Sequence, residues 1–78
     1  MESAVFVGCI DGYFEFKSEY GYSIIFEEVN PQVLKNFDLK NDDKLLGKEF
    51  LITYSEKVID EVEDLKILKI EQLIMILE

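Results

Sequence analysis

Residues 29–37, with the sequence Val-Asn-Pro-Gln-Val-Leu-Lys-Asn-Phe, decide the predicted fold because they carry the clearest helix signals in the chain. Asn30 is suited to cap the helix N-terminus, since its side-chain oxygen can accept from the free N–H groups of the first turn. Pro31 suits the first helical position, where its missing N–H costs nothing. The apolar side chains of the segment share one face of this short helix: Val33, Leu34 and Phe37. A helix of this length needs a sheet beneath it to be stable.

Strand-like sequence lies on both sides of this helix. The segments are rich in β-branched and aromatic residues, and several alternate apolar with polar positions as half-buried strands do. The predicted strands are residues 4–10, 13–17, 22–27, 48–55 and 65–77. Gly8 lies inside the first of them and predicts a bulge or a bend there. The predicted order is therefore three strands, one short helix and two strands.

The last segment, residues 65–77, also fits a helical stripe, but two observations favour a strand. It contains four β-branched isoleucines, and the fourth predicted strand otherwise has no partner. A bulge near Glu71 and Gln72 would reconcile the apolar phases of its two halves. Its end is apolar on both faces, so the outer face is covered either by the chain itself or by another chain. The second alternative predicts a homo-oligomer or partner interface at Ile74 and Ile76.

Length and charge restrict the function. The 78 residues make one domain, residues 1–78, and 17 acidic residues against 8 lysines give a formal net charge of −9. Such an acidic surface repels phosphate backbones and attracts basic partners, which disfavours nucleic acid. There is no Arg, so no bidentate guanidinium fork is present for phosphate recognition.

Few residues in the chain could carry chemistry. Without His it has no usual general base at neutral pH, and the single Cys9 has no imidazole partner. One thiol cannot supply a zinc ligand set, and no glycine loop is spaced to hold a phosphate, so we expect no enzyme activity, no metal and no cofactor. Nothing resembles a signal peptide or a membrane span, and an unpaired cysteine fits a reducing cytoplasm.

The order of elements resembles the five-stranded OB barrel. The phrase Gly-Lys-Glu-Phe-Leu-Ile-Thr-Tyr, residues 47–54, is similar to the opening of strand four in small stand-alone bacterial OB-like proteins of unassigned role. The resemblance implies a mainly β fold: a five-stranded antiparallel OB-like barrel with one short helix between strands three and four. An SH3-like barrel and an α+β roll are the alternatives. It also implies a ligand or nucleic-acid face on strands two and three, with these residues: Tyr13, Lys17, Tyr20 and Ile25.

An acidic connection between the last two predicted strands offers a second candidate surface. It spans residues 58–64 and contains four acids at its end: Asp60, Glu61, Glu63 and Asp64. Together with Ile74 and Ile76, these are the candidate partner-binding residues. The sequence therefore predicts a non-catalytic acidic binding module that engages a protein partner. The more specific form of this prediction is a basic partner. The alternative is OB-type binding of single-stranded oligonucleotides or small ligands on the aromatic face.

Overall fold

The computed structural model of the protein describes residues 2–76, and strands dominate them. The helix lies between the fourth and fifth strands. The elements, in chain order, are β1 (Glu2–Ile10), β2 (Tyr13–Ser18), β3 (Ser23–Phe26), β4 (Glu28–Val29), α1 (Pro31–Asn36), a 3-10 turn (Asp43–Leu45), β5 (Glu49–Asp60) and β6 (Leu65–Met75). The prediction of a mainly β fold is confirmed.

The strands form a single sheet in the order β3-β2-β1-β5-β6-β4. All neighbours are antiparallel except β4 and β6, which run parallel. The two outermost strands, β3 and β4, are separated in the chain by Glu27 alone. The sheet has six strands, and its two outermost strands do not pair with each other. The predicted closed barrel of five strands is therefore not confirmed.

A cluster of phenylalanines fills the space that the curved sheet encloses. The ring of Phe16 is fully buried and lies 5.1 Å from Phe6, 5.7 Å from Phe26 and 6.0 Å from Phe50, measured between centroids. These four rings come from the strands β1, β2, β3 and β5, so the Phe16 side chain packs against residues of three other strands. Tilted and edge-on contacts of this kind add to the free energy gained by burial alone.

The helix forms as its sequence predicts. Asn30 is the N-cap, and its Oδ1 accepts a hydrogen bond of 3.0 Å from the backbone N–H of Gln32. Pro31 begins the helix. Val33 is buried in the core, and the ring of Phe37, which ends the helix, lies 5.3 Å from that of Phe50. The helix therefore packs on the core through Val33 and Phe37 and forms no part of the sheet.

Two predicted irregularities are present in the strands. The register of β1 against β2 shifts between Phe6 and Gly8, so a bulge lies next to the glycine that predicts it. The last segment is a strand, and its register against β5 shifts opposite Thr53, where Glu71 is the extra residue. Leu77, the end of that predicted strand, lies outside the described residues.

Candidate functional site: an acidic hairpin arm

The strands β5 and β6 continue beyond the core as a two-stranded hairpin, residues 54–68, which we call the hairpin arm. β1 pairs with β5 only as far as Ile52, and β4 pairs with β6 only at Lys69 and Ile70. Between those points the two strands pair with each other, and no residue from 53 to 69 belongs to the buried core. The molecule is elongated accordingly, with extents of 43 × 27 × 21 Å.

The arm corrects the predicted boundary between strand and loop. The sequence predicts a strand that ends at residue 55 and an acidic connection that starts at Val58, whereas β5 runs to Asp60. Val58 pairs with Lys66 and Asp60 with Leu65, so cross-strand partners keep this acidic segment extended. The β-branched Val58 and Ile59 were the signal for this extension, and the neighbouring acids obscured it.

A short turn closes the arm. The carboxylate of Asp60 accepts the backbone N–H groups of Val62 at 2.9 Å and of Glu63 at 3.3 Å. Asp64 has a φ of 54°, a left-handed conformation that aspartate tolerates better than most residues do. These contacts give the predicted acidic connection a defined shape.

Apolar side chains are exposed at the tip of the arm. The exposed fraction is 95% for Val62, 60% for Ile59, and 49% for both Val58 and Leu65. The predicted acids adjoin them in the chain, and Asp60, Glu61, Glu63 and Asp64 all lie within or beside the closing turn. Lys66 lies 3.8 Å from Asp64 and 3.9 Å from Glu56, so it offsets part of this charge. The tip therefore presents exposed apolar side chains together with the four acids, which we call the acidic rim.

The base of the arm is fixed to the connection between β3 and β4. The backbone N–H of Glu27 donates to the carbonyl of Leu68 at 3.1 Å, and the N–H of Leu68 donates to Glu27 Oε2 at 2.9 Å. Lys57 lies 3.7 Å from the Glu28 carboxylate. The ring of Tyr54 meets Phe26 edge-on at 5.3 Å. These contacts define the direction in which the arm leaves the sheet.

Glu2 links the arm to two other parts of the molecule. Its carboxylate accepts hydrogen bonds from the hydroxyls of Tyr22, at 3.1 Å, and Tyr54, at 3.0 Å. Because ionised phenols would lose these bonds and repel the carboxylate, Glu2 raises the pKa of both tyrosines above the usual value. No sequence pattern indicates this cluster, since its residues are far apart in the chain.

The predicted partner-binding residues do not form one surface. Ile74 pairs with Leu51, whereas the acids begin at Asp60, and residues 51 to 60 span about 30 Å of extended strand at ~3.3 Å per residue. Ile74 is exposed and Ile76 is half-buried at the opposite end of β6 from the acids. The structure thus brings the four acids together with the apolar tip and leaves the two isoleucines as a separate patch.

The residues predicted for the alternative ligand face lie on β2, on β3 and in the turn between them. Tyr13, Lys17 and Ile25 are exposed there, and Tyr20 is exposed in the turn that joins the two strands. Glu15 shares this face and accepts a hydrogen bond of 3.1 Å from the Ser23 hydroxyl. The glutamate lies between Tyr13 and Lys17 along the strand, so its charge opposes that of the lysine.

Comparison of the chain with protein-family models, with curated proteins and with solved structures found no match. Within residues 2–76, no three Cys, Asp or Glu side chains are grouped so that they could hold a metal ion. In the same range, neither length nor hydropathy would allow any helix to span a membrane.

Proposed function

We propose that this protein is a non-catalytic binding module with an OB-like arrangement of strands, and that it engages a basic protein partner through the tip of the hairpin arm. Three features support the OB-like assignment: β1 pairs with β5, β4 pairs with β6 in parallel, and the helix α1 lies between β4 and β5 in the chain. The observation that carries the function is the exposure of Val62, at 95%, beside the four acids of residues 60–64.

The physical case depends on where the apolar residues lie. Val58, Ile59, Val62 and Leu65 lie outside the core, so the fold gains little from burying them. Removing such side chains from water in a partner's pocket would contribute binding free energy at the centre of an interface. The acidic rim, within a chain of net charge −9, would steer a basic partner toward the tip and raise its association rate.

Binding of single-stranded nucleic acid on β2 and β3 is the second candidate function. It is favoured by Tyr20, 79% of which is exposed, and by Tyr13, 49% of which is exposed at the start of β2. Bases could stack on such rings, a contact worth about 1–3 kcal/mol for each base. The net charge of −9 and Glu15 on that face oppose the phosphate backbone, so we rank this function second.

The two functions are separated by a cross-linking experiment and a titration. A photo-cross-linking amino acid replaces Glu61 at the tip or, as a control, the exposed Lys44 of the 3-10 turn, which lies outside the arm, and each protein is irradiated in native lysate. We expect one specific adduct from the tip position, and we expect it to disappear when Ile59 and Val62 are both changed to Ser. Titration of the unmodified protein with a labelled single-stranded DNA at low salt should show no saturable binding.

A matched charge control sharpens the result. Changing Asp60, Glu63 and Asp64 to their amides should slow partner association, whereas changing Asp38, Asp42 and Asp43 to their amides should have a smaller effect. The net charge changes equally in the two variants, so a difference reports the position of the acids. Equal adducts from both cross-linking positions, or tight and salt-sensitive DNA binding, would show that the arm tip is not the functional surface.

A further inference from the structure

The outer edge of β5 in the arm has no partner strand among the described residues. β1 pairs with β5 only as far as Glu2 and Ile52, so no described residue of β1 lies opposite β5 from Tyr54 onward. The corresponding edge of β6 is covered at Leu68 by the two hydrogen bonds with Glu27. Unpaired edges of extended strands present backbone donors and acceptors to other chains, and natural proteins usually protect them.

The alternation of backbone groups identifies which residues face outward. Lys48 accepts from Phe6 in β1, whereas Glu49 accepts from Ile76 at the end of β6. In an antiparallel strand the N–H and C=O groups of one residue point to the same side, and those of the next residue point to the opposite side. The backbone groups of the even-numbered residues of β5 therefore point toward the β1 side. Residues 54–58 continue this pattern without an extra residue, because the bulge beside Thr53 lies in β6. The backbone groups of Tyr54, Glu56 and Val58 therefore point away from β6 along the free edge.

We propose that an extended, basic segment of the protein partner pairs with this edge as an added antiparallel strand, an inference that rests on the proposed function. The added strand would lie in line with β1. Residues opposite each other in an antiparallel pair share a face, so the segment would place a basic residue opposite Glu56 and apolar residues opposite Tyr54 and Val58. Further basic residues would meet the acids at the tip. Backbone pairing of this kind supplies affinity, and the alternate side chains supply specificity.

A second copy of this chain fits the edge less well. Each copy carries a net charge of −9, and a symmetric pair centred on Glu56 would place two carboxylates opposite each other. Like charges at directly opposed positions destabilise a sheet. A basic peptide is therefore the better occupant on charge grounds.

A short synthetic peptide, Lys-Lys-Val-Ser-Lys-Ser-Val, tests the pairing directly, since its residues match the chemistry of the free edge. Nuclear magnetic resonance follows each backbone amide during the titration. We expect the amides of Tyr54, Glu56 and Val58 to shift and to become protected from hydrogen exchange. The amides of Ser55 and Lys57, which face β6, should already be protected and should change little.

Proline at position 56 provides a test from the protein side. Glu56→Pro removes an outward N–H without breaking a backbone hydrogen bond to β6, and Glu56→Thr removes the same charge, with its ion pair to Lys66, but keeps the N–H. We expect Glu56→Pro to bind the peptide about tenfold more weakly than Glu56→Thr, the effect of one lost hydrogen bond with an unpaired partner. Retained protection of Ser55 and Lys57 would show that the arm of the proline variant is still folded.

Methylated peptides separate strand pairing from charge attraction. Methylation of the backbone nitrogens of the two valines and the central lysine should abolish binding, whereas methylation of the two serine nitrogens should be tolerated. Three results would overturn the proposal. The two methylated peptides could bind equally well, or the two Glu56 variants could bind the peptide equally well. The third is a shift of the arm's amide signals when the protein is concentrated without peptide. If the tip cross-link survives such a result, the proposed function stands with side-chain contacts only; if the cross-link is also absent, the proposed function fails as well.

Discussion

Single residues hold together parts of the sheet that are far apart in the chain. Glu2 is the clearest case, because its carboxylate receives the hydroxyls of Tyr22 and Tyr54, from the end of the β2–β3 turn and from the base of the arm. Asn30 acts locally and caps α1 through the N–H of Gln32. Each of these polar contacts lies at the surface, so each contributes modestly to stability and mainly defines geometry.

The Glu2 cluster predicts an alkaline transition. Because the folded-state pKa of Tyr22 and Tyr54 lies above the unfolded value, the contribution of these phenols to stability is complete below pH ~10 and is lost as pH rises through the raised pKa. Glu2→Gln should lower both pKa values toward the ordinary range, as measured by ultraviolet titration of tyrosinate. Glu19→Gln is the control, and an identical titration curve for the two variants would contradict the assignment.

At the scale of elements, the hairpin arm and the enclosed core are separable. The arm shares its base with the sheet, but its strands pair only with each other from Tyr54 to Leu65. Isolated two-stranded hairpins are marginally stable in water, so the contacts with Glu27, Glu28 and Phe26 explain how this arm is held in place. The division suggests that folding and binding depend on different residues.

Removal of the arm tests that division. Replacing residues 58–66 by Asn-Gly should join Lys57 to Ile67 through a tight hairpin turn and keep their native pairing. Because no core residue is lost, we expect cooperative urea unfolding with a free energy changed by no more than about 1–2 kcal/mol. An excess of the shortened protein should not compete for the partner, so it should leave the Glu61 cross-link of the full-length chain unchanged. A molten, non-cooperative product would show that the arm is part of the folding unit.

At the scale of the whole molecule, a small phenylalanine core supports an elongated, acidic exterior. A domain of 78 residues buries a limited share of its surface, so each fully buried ring carries a large part of the stability. The Phe16 ring packs against phenylalanine rings from three other strands, and removing it would leave a cavity among them. The net charge of −9 adds self-repulsion to this marginal core.

Phe16→Ala should therefore cost about 3–5 kcal/mol of unfolding free energy, a large share of the ~5–15 kcal/mol typical of a domain. Chemical denaturation measures this loss directly. Tyr20→Ala, at an exposed turn position, is the control and should stay within about 0.5 kcal/mol of the parent. A loss below about 1 kcal/mol for Phe16→Ala would contradict the central position of this ring.

The sequence alone determined the local elements of this protein. Helix capping by Asn30 and Pro31, the bulges beside Gly8 and near Glu71, and the strand identity of β6 follow from short-range propensities and side-chain periodicity, which residues a few positions apart settle. Tertiary structure decided what depends on pairing between distant segments. The short strand β4, which lies outside every predicted strand, the length of β5 and the separation of Ile74 from the acids arise from cross-strand pairing and register. That register minimises the free energy of the whole sheet, so no local pattern specifies it.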